Sequence, residues 1–206
     1  MRAFIVRLSV TVTAALAALA IASPAASASL VDGCPDAGAS QPFQPWGDDS
    51  LYVLAPDGGL EQGGDSWSLA DGAAVVAGNE SFQVGGAGDS RSLSLPDGSR
   101  ATTGDTCIGL DSPTLRFFAR NDGDPDGRLA VSVIVDTLLG PVTLPIGSVD
   151  GADSWHPTHT FLLLANLTAL PIVNDGTAQV ELRFRPIGTG GDWRIDDVYV
   201  DPWKGR

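Results

Sequence analysis

From residue 51 onward the chain is built of short runs in which apolar and polar residues alternate, each run ended by glycine, aspartate, proline or serine. The clearest runs are Leu51–Leu54, Ala73–Val76, Ser92–Leu95, Leu115–Ala119, Leu129–Val135, Val142–Leu144, Val180–Phe184 and Trp193–Val200. Between them lie turn signals such as P-D-G-G, L-P-D-G-S and G-T-G-G-D. A period of two gives each strand one apolar face to bury. Many short strands with few helix-length periodic segments predict an all-β fold, an antiparallel β-sandwich of the jelly-roll kind. The exception is F-L-L-L-A-N-L-T-A-L, Phe161 to Leu170, which predicts a strand running into one short helix near 161–170 that Pro171 stops.

The first 28 residues have the form of a secretory signal: Arg2 and Arg7, an apolar run from Val10 to Ala22, and Ala26-Ser27-Ala28 as a small-x-small cleavage pattern. The apolar run is too short to span a bilayer. The mature chain is expected to start at Ser29, to be secreted, and to consist of an N-terminal segment (29–45) followed by a single β-sandwich domain (46–206). The leader holds two arginines and no acid, so 25 acidic residues then face 10 basic ones and the net charge moves from −13 to −15. Such a chain repels phosphate backbones and anionic lipid, which argues against nucleic acid as a partner and against membrane insertion of the mature protein.

Two cysteines in an exported chain predict a disulfide, Cys34–Cys107, tying the N-terminal segment to the body. A zinc site using His156 and His159 lacks the four ligands at metal spacing that it needs. The stretch N-D-G-D-P-D-G, Asn121 to Gly127, opens like a calcium loop, but Val133 stands where the closing Glu belongs and a strand pattern follows. Flanked by T-L-R-F-F-A-R and R-L-A-V-S-V-I-V, it reads as a β-hairpin tip, with a weak calcium site as the alternative.

The last 30 residues contain V-E-L-R-F-R-P-I and D-W-R-I-D-D-V-Y-V-D-P-W. Val180, Leu182 and Phe184 share a parity, as do Leu115, Phe117 and Ala119, so Arg116, Arg120, Arg183 and Arg185 point the other way. In the final strand Trp193 and Ile195 are apolar at odd positions, Val198 and Val200 at even ones, and a bulge at Asp196-Asp197 would reconcile them. Trp67, Phe117 and Phe184 read as core, whereas Trp46, Trp155, Tyr199 and Trp203 lie in loops or off parity.

Two resemblances rest on these residues. G-G-L-E-Q-G (58–63), Trp67 and G-A-A-V-V, together with W-R-I-D-D-V-Y-V, resemble the first and last strands of galactose-binding-like jelly rolls, the fold of many carbohydrate-binding modules. The strings P-W-G-D, R-F-F-A-R-N, L-P-I-G, S-W-H-P-T and I-D-D-V-Y-V-D-P resemble small secreted actinobacterial proteins of unassigned function. The first resemblance implies a structural calcium where the first strand's Glu meets the last strand's Asp, here Glu61 with Asp196 or Asp197. The alternative is that these acids cap turns and pair with Arg194.

Gly88-Asp89-Ser90 and Gly64-Asp65-Ser66 resemble the G-D-S block of a serine hydrolase family, and Asp153-Ser154-Trp155-His156 its D-x-x-H pair. That family places its Ser after a buried parallel strand, whereas these tripeptides lie in Gly-rich turns of an all-β pattern. The expectation is therefore a non-enzymatic binding module with a glycan or cell-envelope polymer as partner, and no catalytic residues. A secreted esterase-like hydrolase and a structural protein-interaction domain are the rivals. Ligand binding is expected on one sheet face bearing Arg116, Arg120, Arg183 and Arg185, with Trp155 and Tyr199 at its margin. A salt-bridged outer surface would give the same pattern.

Overall fold

The computed structural model describes residues 34, 38–109, 113–137, 139–163 and 177–201. Within them run β1 (Val53–Leu54), β2 (Ser68–Ala70), β3 (Ala74–Ala77), β4 (Arg91–Pro96), β5 (Arg100–Thr102), β6 (Thr106–Gly109) and β7 (Thr114–Asn121). They are followed by β8 (Arg128–Thr137), β9 (Gly140–Asp150), β10 (His156–Pro157), β11 (Phe161–Leu162), β12 (Thr177–Ile187) and β13 (Asp192–Asp201). The first sheet has the order β10-β7-β13-β4-β3, with β1 on β13 and β11 on β7. The second has the order β2-β5-β12-β8-β9, with β6 on β12. All pairings are antiparallel, and the two sheets form a sandwich, as the alternation requires. Phe161 and Leu162 are strand, while 164–170, where the short helix is expected, lie outside the described residues, as does the leader.

Inward parity fills one core. Leu115, Phe117 and Ala119 of β7, Leu129, Val131 and Val133 of β8, and Leu182 and Phe184 of β12 pack with Trp67. Phe184 sits edge-on to Phe117, ring centroids 5.1 Å apart, and stacks on Trp67 at 5.8 Å. The bulge in β13 is present: the register with β7 slips between Asp196 and Tyr199, and Asp197 takes a φ of 48°. It lets Trp193 and Ile195 before it, and Val198 and Val200 after it, all face the core. The chain after β1 closes on the bulge, Ala55 N donating to Val198 O and Val198 N to Gly58 O. A Cβ at Gly58 would lie 2.6 Å from Val198 O, so no side chain fits there.

The N-D-G-D-P-D-G stretch joins β7 to β8, yet these strands belong to different sheets, so the expected hairpin tip is an arch between layers. Turn residues reverse the chain locally. Pairing is decided by the apolar faces, and those of β7 and β8 meet across the core rather than side by side. Asn121 knits the arch: its Nδ2 donates to Asp124 O at 2.7 Å, and its Oδ1 accepts from Gly123 N and Asp192 N, each at 3.0 Å. Asp124 Oδ1 accepts from Asp126 N, and Asp122 pairs with Arg120. The carboxylates of Asp122 and Asp124 are thus engaged in separate tasks.

Residues 38–52 wrap the outer face of the first sheet. Ser40 bridges to Tyr52, and Phe43 and Tyr52 form a second apolar cluster with Phe118 of β7 and Tyr199 of β13. Cys34 and Cys107 are joined, with Cα atoms 5.5 Å apart and a sequence separation of 73. Closing a loop of that length stabilises the fold by about 4 kcal/mol in the chain-entropy account. Thiol titration of the denatured, unreduced protein should therefore find no free cysteine, and reduction should lower Tm; two titratable thiols would contradict the bridge.

Candidate functional site

Parity places the four arginines outward, but strand pairing divides them. Arg116 and Arg120 leave the first sheet on β7, whereas Arg183 and Arg185 leave the second on β12, which pairs with β5, β6 and β8 and not with β7. The single arginine face expected from the sequence therefore does not form. The two pairs project from opposite outsides of the sandwich.

On the first sheet the outer face is sealed. Arg116 is 8 % exposed; its Nε donates to Thr158 O at 2.9 Å, its Nη1 to Asp48 Oδ2 at 2.7 Å, and its guanidinium lies 4.3 Å from the Phe43 ring centre. Asp48 also accepts from the Tyr52 hydroxyl at 2.8 Å. Burial pushes the Asp48 carboxyl up, but hydrogen bonds from Arg116, Tyr52 and Ser50 outweigh it and hold its pKa at about 2. Tyr199 is buried in the same cluster, and burial pushes its phenol up. Arg116 and Tyr199 thus fasten residues 38–52 to the sheet. Arg120 pairs with Asp122 at 2.8 Å and lies 5.5 Å from the half-buried Trp155 ring, at the margin of the sealed face.

On the second sheet's outer face Arg185 is exposed and Arg183 and Ser132 are half-buried, while Thr102 and Ile134 are buried. Across its middle one row runs Ser68, Thr102, Arg183, Ser132, Pro145, each directly opposite the next. In the adjoining row Arg185 stands opposite Ala130, and Ala130 opposite Ser148. Arg183 Nε donates to Thr102 Oγ1 at 3.2 Å. Arg185 is exposed and makes no hydrogen bond or ion pair among the described residues. Two guanidinium groups therefore rise from a floor of small side chains.

The loops at 57–61 and 79–89 close over the β13 bulge and gather acids. Asp196 and Asp197 are 0 % and 1 % exposed, and Glu80 is 1 % exposed. Asp196 Oδ2 accepts from Glu80 N at 3.0 Å and, with the Asn79 amide turned to suit its surroundings, from Asn79 at 2.6 Å. Burial and then the charge of Asp197 push the Asp196 pKa up to about 9, against the lowering effect of the Glu80 and Asp197 main-chain N–H groups that donate to it. Glu80 accepts from Phe82 N and from Val84 N. Arg194 turns to Asp122 and to Ala77 O, not to the bulge acids.

Of the three expected metal ligands, only Asp197 has an oxygen to spare. Glu61 spends Oε1 on Ser90 N and Arg91 N, both at 2.7 Å, and Oε2 on Ser90 Oγ at 3.1 Å. Asp197 Oδ2 accepts from Gly85 N at 3.2 Å, but its buried Oδ1 has no partner. A Cβ on Gly85 would collide with Asp89 Oδ2 and lie 2.9 Å from Asp197 Oδ1, so these two carboxylates converge on one side of that glycine. Oxygen donors alone suit a hard cation such as calcium. Among the described residues no three His, Cys, Asp or Glu side chains group closely enough to hold a metal unaided, so water or main-chain oxygens would complete such a site. Patterning gives no sign of Glu80 and Asp89; the glycines at 85 and 86 are their one trace in the sequence.

Ser90 and His156 of the hydrolase reading are not brought together. Ser90 Oγ is hydrogen-bonded to Glu61 and His156 Nδ1 to Ser154 O. Ser90 precedes β4 and His156 lies on β10, three strand positions apart in the first sheet, or about 14 Å.

No protein-family model and no curated protein matches this sequence. Solved structures do. The chain has the jelly-roll sandwich fold seen in carbohydrate-binding modules. The CBM22-1–GH10 modules of Clostridium thermocellum xylanase 10B, complexed with xylohexaose, match at 14 % identity over 76 % of this chain and 29 % of that one, with a TM-score of 0.53. TmCBM61 in complex with β-1,4-galactotriose matches at 16 % identity over 73 % of this chain and 98 % of that one, TM-score 0.44. The family 11 module of C. thermocellum Lic26A-Cel5E matches at 10 % identity over 76 % and 98 %, TM-score 0.45. These likenesses concern the jelly-roll fold, and none of them bears on the actinobacterial resemblance.

The Asp48 latch has a pH signature. A carboxyl whose folded pKa is depressed contributes stability above its unfolded pKa and loses it as pH falls through the folded value. Thermal melts should show the Asp48 contribution intact above about pH 5 and vanishing toward pH 2. Asp48→Asn should lower stability at pH 7 by on the order of 2 kcal/mol and flatten the acid limb; an acid limb identical to that of the parent protein would contradict this assignment.

Proposed function

We propose that this protein is a secreted, non-catalytic carbohydrate-binding module whose ligand lies across the outer face of the second sheet, on β5, β12 and β8. One observation carries the reading: the outer face of the first sheet is covered by residues 38–52, while the second sheet presents Arg183 and the partnerless Arg185 over small side chains. Guanidinium groups offer fixed donors to hydroxyl and carboxylate oxygens, and a floor of Ala and Ser lets a flat, hydrated polymer approach. The fold and the Cys34–Cys107 bridge agree with an extracellular setting. A screen of soluble polysaccharides by affinity electrophoresis, followed by calorimetry, tests it. The Arg183→Ala/Arg185→Ala variant should lose binding, while Arg120→Ala should retain it. A ligand held with unchanged affinity by the correctly folded double variant would move the site elsewhere.

The same reading includes a calcium ion held by Asp197 and Asp89, with water or main-chain oxygens completing the shell, to neutralise the acids under loop 79–89. Calcium binding only the folded state raises Tm by mass action. After chelation, millimolar calcium should raise Tm, and Asp197→Asn should abolish the increase. A melting curve indifferent to calcium would remove the ion from the account.

A further inference from the structure

We propose that the glycan recognised by the second-sheet face is an acidic one, a polymer bearing carboxylate groups on its sugars. The inference rests on the reading of that face as the glycan site, and it adds the ligand's charge.

The outer face of this sheet gathers four of the chain's 12 basic residues, Arg100 on β5, Arg128 on β8, and Arg183 and Arg185 on β12. The whole chain carries a net charge of −13, so its general field repels anions. The first sheet's strands carry as many (Arg91, Arg116, Arg120 and Arg194), and Asp136 and Glu181 stand on the second sheet's strands, so what favours a carboxylate here is a pair of guanidinium groups at successive outward positions of β12 rather than a general excess of positive charge. Arg100 and Arg128 are partly neutralised, by Asp71 at 3.4 Å and Asp150 at 2.9 Å, in pairs that are more than half exposed. Exposed pairs of this kind exchange partners readily. Arg183 and Arg185 enter no ion pair among the described residues.

The two central arginines are spaced for a polymer. They are two residues apart on one strand, so their attachment points lie about 7 Å apart along the sheet. Arg183 has its Nε committed to Thr102 Oγ1, which orients the guanidinium and leaves both Nη groups as donors. A planar guanidinium with two outward donors matches a carboxylate, and such charge-assisted bonds are about twice as strong as those to a neutral hydroxyl. Glu181 is the next outward residue of β12, on the far side of Arg183 from Arg185, and is not paired with it. The strand is therefore electrically polar along its length, with the carboxylate subsite at the Arg183–Arg185 end.

What the face lacks points the same way. The outward positions of β2, β5, β8, β9 and β12 among the described residues carry no Trp, Tyr or Phe; every aromatic ring of these strands faces inward. A neutral sugar gains much of its affinity by laying an apolar face on an aromatic ring. Without such a platform the arginines must supply the affinity, and they do so best against a charged group.

The test compares carboxylated oligosaccharides of three backbones (galacturonate, mannuronate–guluronate, and glucuronate–glucosamine) with their carboxyl methyl esters, by calorimetry on the mature protein. Xylohexaose and galactotriose serve as neutral ligands, and polyglutamate and dextran sulfate as non-glycan and non-carboxylate polyanions. At least one acid oligosaccharide should bind, and its ester should bind at least about tenfold more weakly. The Arg183→Ala/Arg185→Ala variant, with an unchanged circular dichroism spectrum, should lose the same amount. The double Lys variant should recover only part of it, because ammonium groups lack the two-point geometry. Equal binding of acid and ester, or binding of the neutral oligosaccharides alone, overturns the acidic ligand while the carbohydrate-binding reading stands. Equal binding of polyglutamate or dextran sulfate shows unspecific charge attraction and overturns the proposal. Binding of no saccharide at all overturns both.

Discussion

The architecture hangs on the bulge at Asp196-Asp197. β13 runs through the middle of the first sheet, pairing with β7 on one side and with β4 and β1 on the other. A regular strand with this sequence would bury Trp193 and Ile195 only by exposing Val198 and Val200. The extra residue resets the parity, so four large apolar side chains enter one core from a single strand. Its by-product is a pair of adjacent carboxylates directed into protein instead of water. The molecule answers with main-chain donors from Glu80 and Gly85 and with the Asn79 amide. Loop 79–89 is shaped by that need, down to a Gly85 that no other residue could replace without striking Asp89.

The same sheet is then closed on its outside. Off-parity Phe118 and Tyr199 would be exposed apolar rings on a bare sandwich; residues 38–52 cover them, with Phe43 as the plug and the Arg116–Asp48 pair as the pin. An ion pair buried this far needs all its donors satisfied, and the additional bonds to Thr158 O and from Tyr52 do that. Among the described residues the two faces thereby differ: one carries residues 38–52, and the other leaves Arg185 exposed.

Parity was legible in the sequence and pairing was not. The alternation of Leu115, Phe117 and Ala119, of Val180, Leu182 and Phe184, and the break at 196–197 each specified which side chains go inward, and the core formed on those residues. Nothing local says which strand lies beside which. Asn121 to Gly127 has the composition of a hairpin tip because Asn and Gly serve any tight reversal, including an arch between sheets. For the same reason the outward arginines were rightly identified as outward yet wrongly placed on one face. Glu61 resembled a metal ligand because carboxylates near a first strand are visible in one dimension, while the amides of Ser90 and Arg91 that occupy it are 29 and 30 residues away. Glu80 and Asp89 sit in a Gly-rich stretch with no periodicity, where only folding reveals that they share a space with Asp197.

The Cys34–Cys107 bridge has a mechanical meaning beyond its effect on the unfolded chain. Cys107 lies on β6, which is paired along β12 in the second sheet, whereas Ser40 to Tyr52 are attached to the first. Tension arriving along the chain ahead of Cys34 is therefore delivered covalently to a strand hydrogen-bonded to β12. It loads that ladder without first peeling Phe43 out of its socket. A glycan held at Arg183 and Arg185, as proposed, would pull on β12 as well, so an opposing pull between ligand and leading segment would be borne largely within one sheet, and the sealed half of the sandwich would stay out of the line of force.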